Sequence, residues 1–155
     1  MQSASLYHHI GSKDDLLYAL CAESVARMLE ATERAILAED EPVARIRAVI
    51  SAHVRSSLEE QDAHATMLSE LRSLAKERRD EVVALRDEYE ALVTETLAQA
   101  QAAGVVRSDV TARTLTLALL SLLNWPIFWF RPDGELTPEA LADLLASIFL
   151  DGVTT

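Results

Sequence analysis

The sequence has a single cysteine, Cys21, so no disulfide can form within the chain. Only four glycines and four prolines occur in 155 residues, which with the strong helix formers of the chain favours an all-helical fold, and no linker or low-complexity segment is present. No segment alternates apolar and polar residues for long enough to predict a sheet. The densest apolar run, Leu115 to Phe130, falls short of the roughly 20 residues a bilayer span requires, and Pro126 interrupts it. No signal-peptide pattern opens the chain. Together these absences predict a reduced, cytoplasmic protein with no membrane partner.

Chemistry-bearing motifs are also missing. The chain has no H-E-x-x-H, C-x-x-C, G-x-S-x-G or glycine-rich phosphate loop. His8 and His9 are adjacent and would point about 100° apart on a helix, poor geometry for two ligands of one metal. Cys21 has no base beside it in sequence and lies near an apolar stripe, where a thiol is inert. Carboxylates are plentiful but scattered. The expectation is no catalytic residue, no metal and no cofactor: the chain is not an enzyme.

What is present is helix-forming material. Half of the residues are apolar, a quarter are charged, and Ala, Leu and Glu dominate long stretches. The formal net charge of −11 argues against nucleic acid as a partner. That charge is unevenly placed: the first thirteen residues contain no acid, only Lys13, His8 and His9.

Local signals divide the chain into helices. A short one from about Ser3 to Ile10 is broken by Gly11, and Ser12 with Asp15 forms an S-x-x-D capping box for the next. That second helix carries Leu16, Leu17, Leu20, Met28, Leu29 and Ile36 to about Glu39-Asp40. Pro42 opens a third, with Ile46, Val49, Ile50, His53 and Ser57 on one face. A fourth is predicted over Asp62 to about Lys76, with Met67, Leu68, Leu71 and Leu74 inward. The fifth runs from near Arg78 to Ala103 and stops at Gly104. Its inward line includes Val82, Leu85, Tyr89, Thr96 and Ala100. Asp109 is the expected cap of a sixth, apolar nearly all round from Leu115 to Leu123. After the turn Arg131-Pro132-Asp133-Gly134, Thr137 and Pro138 open a last helix striped with Leu141, Leu144, Leu145, Ile148 and Phe149.

A helix apolar on every side must be covered on every side. One face meets the chain's own core and the other meets a second subunit. The predicted homodimer interface is Leu115, Leu119 and Leu122 with Leu141, Leu144, Leu145 and Ile148, because an open apolar surface of this size is uncommon on a soluble monomer.

The opening residues Leu6, Tyr7, His9, Ser12, Lys13 and Leu16 resemble the end of the helix-turn-helix of TetR-family transcriptional regulators and the start of its next helix. Leu123-Asn124-Trp125, Trp129, Arg131-Pro132-Asp133-Gly134 and Leu136-Thr137-Pro138-Glu139 resemble the last two helices of the same family and their connection. The resemblance implies an all-α bundle: residues 1–20 as a partial helix-turn-helix stub, and residues 21–155 as a ligand-binding and dimerisation domain. It implies that Ser3, Ala4 and Ser5 face bases, that Tyr7, His8 and His9 lie near bases or backbone, and that Lys13 holds a phosphate. The family motif needs two earlier helices, and Gln2 and Ile10 stand where the family has a Ser or Thr cap and a Phe. The chain as written is therefore expected to bind operator DNA weakly or not at all, and its full-length form to bind specifically. Endings of this style resemble regulators that sense acyl-CoA, fatty-acid or sterol-degradation intermediates.

The predicted function is ligand-responsive transcriptional regulation, most often repression, with a hydrophobic or acyl-CoA-like effector. The candidate pocket residues are His53, Met67, Leu71, Arg72, Tyr89, Trp125 and Trp129. Each has a plainer reading: a hydrogen-bonded core histidine, a core tyrosine, a surface arginine paired with Glu70 or Asp62, tryptophans packed at a dimer seam. A dimeric helical interaction module with no DNA role is the alternative. An enzyme built on a helical bundle stands third.

Overall fold

Side-chain caps start three of the helices, and a proline or a glycine marks one end of others. The computed structural model describes residues 12–155. Helix α1 (Lys13–Leu37) begins where Ser12 Oγ accepts the Asp15 N–H at 3.1 Å, with Asp14 and Asp15 in its first turn. It runs past residue 20 without a break, so the expected domain boundary falls inside a continuous helix. Pro42 opens α2 (Pro42–Glu59), where its missing N–H is no loss.

The segment expected as one helix over 62–76 is divided. Helix α3 (Gln61–Glu70) tightens into a 3₁₀ turn at Leu71–Ser73, and extended backbone at Leu74 and Ala75 redirects the chain. Helix α4 (Lys76–Ala102) ends as expected at Gly104, whose φ of 74° is in the left-handed region. There the Val105 N–H reaches the Ala100 carbonyl at 3.1 Å and the Gly104 N–H reaches Gln101 at 2.9 Å, the Schellman pair.

Helix α5 (Ala112–Asn124) is capped by Thr111, whose hydroxyl accepts the Thr114 N–H, and not by Asp109. Asp109 is already held by two bonds from the Arg107 guanidinium, at 2.7 and 2.6 Å. Pro126 then forces a 3₁₀ turn, Trp125–Phe128. Thr137 caps the last helix, α6 (Pro138–Val153), with Pro138 in its first turn.

Two apolar clusters hold these elements. The larger joins Ile46, Ile50 and Val54 of α2 to Val93 and Leu97 of α4, Leu119 and Leu123 of α5, and Leu141 and Phe149 of α6. The smaller joins Cys21 and Val25 of α1 to Met67, Leu71, Leu74 and Val82. Beside it, Arg78 pairs with Asp14 and Asp15 and lies 5.3 Å from the Tyr18 ring centre, while Asp14 accepts the Ala75 N–H at 3.0 Å. These contacts fasten the start of α4 to the start of α1. Among the described residues, no helix is long and apolar enough to cross a membrane.

Candidate functional site

The spacing that places Ile46, Val49 and Ile50 in the core also carries His53 inward, so an imidazole is buried at 2% exposure. Both of its nitrogens are used. Nδ1 lies 2.7 Å from the Tyr89 hydroxyl of α4, and Nε2 lies 3.0 Å from Asn124 Oδ1 at the end of α5. An amide oxygen only accepts, so Nε2 carries the proton and Nδ1 accepts from the Tyr89 O–H. The result is a satisfied neutral relay linking three helices. Burial pulls the His53 pKa down to about 3, with the neighbouring His64 adding to the effect. Burial likewise pushes the Tyr89 phenol well above its ordinary value.

His64 of α3 is different. It is 3% exposed, and its Nε2 is buried with no hydrogen-bond partner among the described residues. Burial lowers its pKa to about 4, so it too is neutral near pH 7. His53, His64, Tyr89 and Asn124 share a cavity of about 260 Å³ with Val25 and Met28 of α1, Met67 and Leu68 of α3, and Leu120 of α5. Val83, Arg86, Asp87 and Glu90 of α4 complete its wall. The lining is divided about evenly between apolar and polar side chains, more polar than the mostly apolar pocket expected from the sequence, with Arg86, Asp87 and Glu90 the charged members.

The sequence reading divides on these residues. His53, Met67 and Tyr89 line the cavity. Leu71 does not: it is buried in the smaller apolar cluster. Arg72 is exposed on the 3₁₀ turn, because the chain leaves the helix there, and lies outside the cavity wall. Trp125 and Trp129 are also outside it, at 65% and 47% exposure, because the turn at Pro126 swings both rings outward. His64 and Asn124 were missed. Asn124 sits in the Leu-Asn-Trp stretch that drew attention, but a polar residue at a helix end reads first as a cap.

The expected interface residues separate in the same way. Leu115, Leu119, Leu141 and Leu145 are buried in the chain's own core, so they are not a surface for a second subunit. Leu122 is half-buried against that core. Leu144 and Ile148 remain on the outer face of α6, and Leu117 on the outer face of α5. Lys13 is exposed at the first position of α1. Ser3, Ala4, Ser5, Tyr7, His8 and His9 lie outside the described residues.

A model of the family described as "Tetracyclin repressor-like, C-terminal domain" matches residues 39–153. The chain belongs to this family. Every residue of the His53, His64, Tyr89 and Asn124 group falls inside the part that matches as TetR-like. The chain is 35% identical to the TetR-family transcriptional regulator PfmR from Thermus thermophilus, with a TM-score of 0.88, covering 96% of this chain and 80% of that one. It is 25% identical to the HTH-type transcriptional repressor KstR2 of Rhodococcus jostii (strain RHA1), over 99% of this chain and 76% of that protein. It is 28% identical to AibR, solved in complex with isovaleryl coenzyme A and operator DNA, with a TM-score of 0.82, covering 94% of this chain and 78% of that one. The TetR-family relatives are transcriptional regulators, and the all-α architecture is theirs.

Proposed function

We propose that this chain is the effector-binding and dimerisation part of a ligand-responsive transcriptional repressor. The observation that carries the reading is the cavity among α1, α2, α3, α4 and α5, lined in part by buried neutral polar groups. A packed structural bundle has no use for such a space, and a buried polar atom without a partner is costly. The effector is hydrophobic or acyl-CoA-like. AibR was solved with isovaleryl coenzyme A, and a short acyl group suits a cavity of about 260 Å³. The nucleotide head of such a ligand would stay outside.

The active form is a homodimer, and operator DNA is its partner. The outer faces of α5 and α6 present Leu117, Leu144 and Ile148, and Trp125, Phe128 and Trp129 are exposed on the turn that follows α5. A two-fold axis along this surface would cover it on both copies at once. Ligand binding would favour one dimer geometry over another and so change the fit to DNA.

The test is immunoprecipitation of the tagged protein from its own cells, followed by sequencing of the DNA recovered. The reading expects discrete sites with two-fold symmetry. Recovery of no site above background would leave a dimeric interaction module as the better description.

A further inference from the structure

Of the polar groups in the cavity wall, the His53 imidazole is already saturated by Tyr89 and Asn124. His64 Nε2 is not. Among the described residues this nitrogen finds no donor or acceptor, and the side chain is 3% exposed in a cavity wall that it shares with Met67 and Val25. A buried donor or acceptor left unpaired costs on the order of 1–3 kcal/mol, so the position makes physical sense when something in the cavity supplies the partner.

We infer that His64 Nε2 is the polar anchor for the effector, and that the group it takes is an uncharged oxygen, a carbonyl or a hydroxyl, on a compact apolar body. This inference rests on the reading of the cavity as an effector site and specifies the chemistry of that site. Three observations support it. First, the ring is neutral and can offer either an N–H to a carbonyl or a lone pair to a hydroxyl. Second, the wall contains one cation, Arg86, exposed and accompanied by Asp87 and Glu90. A carboxylate brought inside would meet no buried counter-charge, which carries a large desolvation penalty. Third, the size is limiting. A dry cavity of about 150 Å³ holds benzene, so about 260 Å³ holds roughly ten non-hydrogen atoms. A longer ligand must leave its remainder in solvent, past the charged residues of α4.

Four size-matched probes test this by calorimetric titration into the whole chain at pH 7.5: butylbenzene, propiophenone, 1-phenylpropan-1-ol and phenylacetate. Propiophenone and the alcohol are expected to bind, with phenylacetate at least about thirtyfold weaker because its charge must be desolvated. In His64→Leu, the ketone and the alcohol lose about threefold to tenfold in affinity, the worth of one hydrogen bond. Butylbenzene is unchanged or tighter, and His64→Gln, which keeps a donor and an acceptor, recovers part of the loss. A melting curve confirms that each variant is folded. Phenylacetate binding as tightly as propiophenone would overturn the inference, as would ketone affinity indifferent to His64→Leu. In both cases the effector-site reading survives, because the cavity has bound a ligand. If butylbenzene and the others all fail to bind, the effector-site reading itself falls, and the inference with it.

Discussion

Acidification should unfold this protein through two buried histidines, and the size of the effect follows from their surroundings. Burial holds the His53 pKa at about 3 and the His64 pKa at about 4, whereas in the unfolded chain each imidazole titrates near 6.5. The sign follows directly. Below the unfolded value the denatured chain takes up protons that the folded chain refuses, so stability is full above about pH 7 and falls as pH drops toward the folded values. For one such histidine the loss is about 0.8 kcal/mol at pH 6 and about 2 kcal/mol at pH 5. The two together approach about 4 kcal/mol at pH 5, an upper bound because the two sites interact. The assay is urea unfolding followed by far-ultraviolet circular dichroism at fixed protein concentration, from pH 8 to pH 5. His64→Leu isolates one share: its slope against pH between 7 and 5 should be about half that of the parent. It gives up no hydrogen bond from the buried Nε2, so at pH 5 it should be more stable than the parent by about 2 kcal/mol. A parent whose stability is flat from pH 8 to 5, or equal slopes in parent and variant, would refute the reasoning.

Other perturbations have equally definite outcomes. Leu119 of α5 is fully buried in the larger core, so Leu119→Ala should cost about 2–5 kcal/mol in urea unfolding, and a loss below about 1 kcal/mol would show that the site is not closely packed. Thr137→Ala removes the cap that accepts the Ala140 N–H at 3.1 Å, and should cost about 1 kcal/mol without changing ligand binding. Leu144 and Ile148, at 46% and 54% exposure, place charge on the outer face of α6 when both are changed to Glu. Sedimentation of that double variant should show monomer where the parent shows dimer, and a variant that stays dimeric would move the interface elsewhere.

Much of the helical order was legible because helix ends are written in a few neighbouring residues. Ser12 with Asp15, Pro42, Gly104, and Thr137 with Pro138 all act where the local pattern places them. Asp109 failed as a cap because a nearer partner, Arg107, takes both its oxygens. The break at Leu74 and Ala75 carries no Gly or Pro to announce it, and a continuing apolar line from Met67 to Leu74 disguises it. Part of the interface assignment fell on core residues for a different reason. A helix apolar on all sides gives no phase, so periodicity could not say that Leu119 faces inward and Leu117 outward. At the cavity, His53 and Tyr89 were visible as polar residues on apolar lines. His64 lies on a short, weakly patterned helix, and its meaning depends on a neighbour eleven residues away that only the fold brings close. The pairing of His64 with Met67 on one face was the available signal, at the i, i+3 spacing that puts two residues side by side.

The central claim is that occupancy of the cavity is felt at DNA. Its most direct test is fluorescence anisotropy of an operator duplex recovered by immunoprecipitation, titrated with the protein as its own cells make it. The titration is run with and without saturating propiophenone or isovaleryl coenzyme A, whichever calorimetry shows to bind. Coupling between such sites is typically about 1–3 kcal/mol, so the operator Kd should rise about fivefold or more with ligand present. By reciprocity, operator should weaken ligand binding by the same factor. An operator Kd that does not move when the cavity is demonstrably filled would contradict the account.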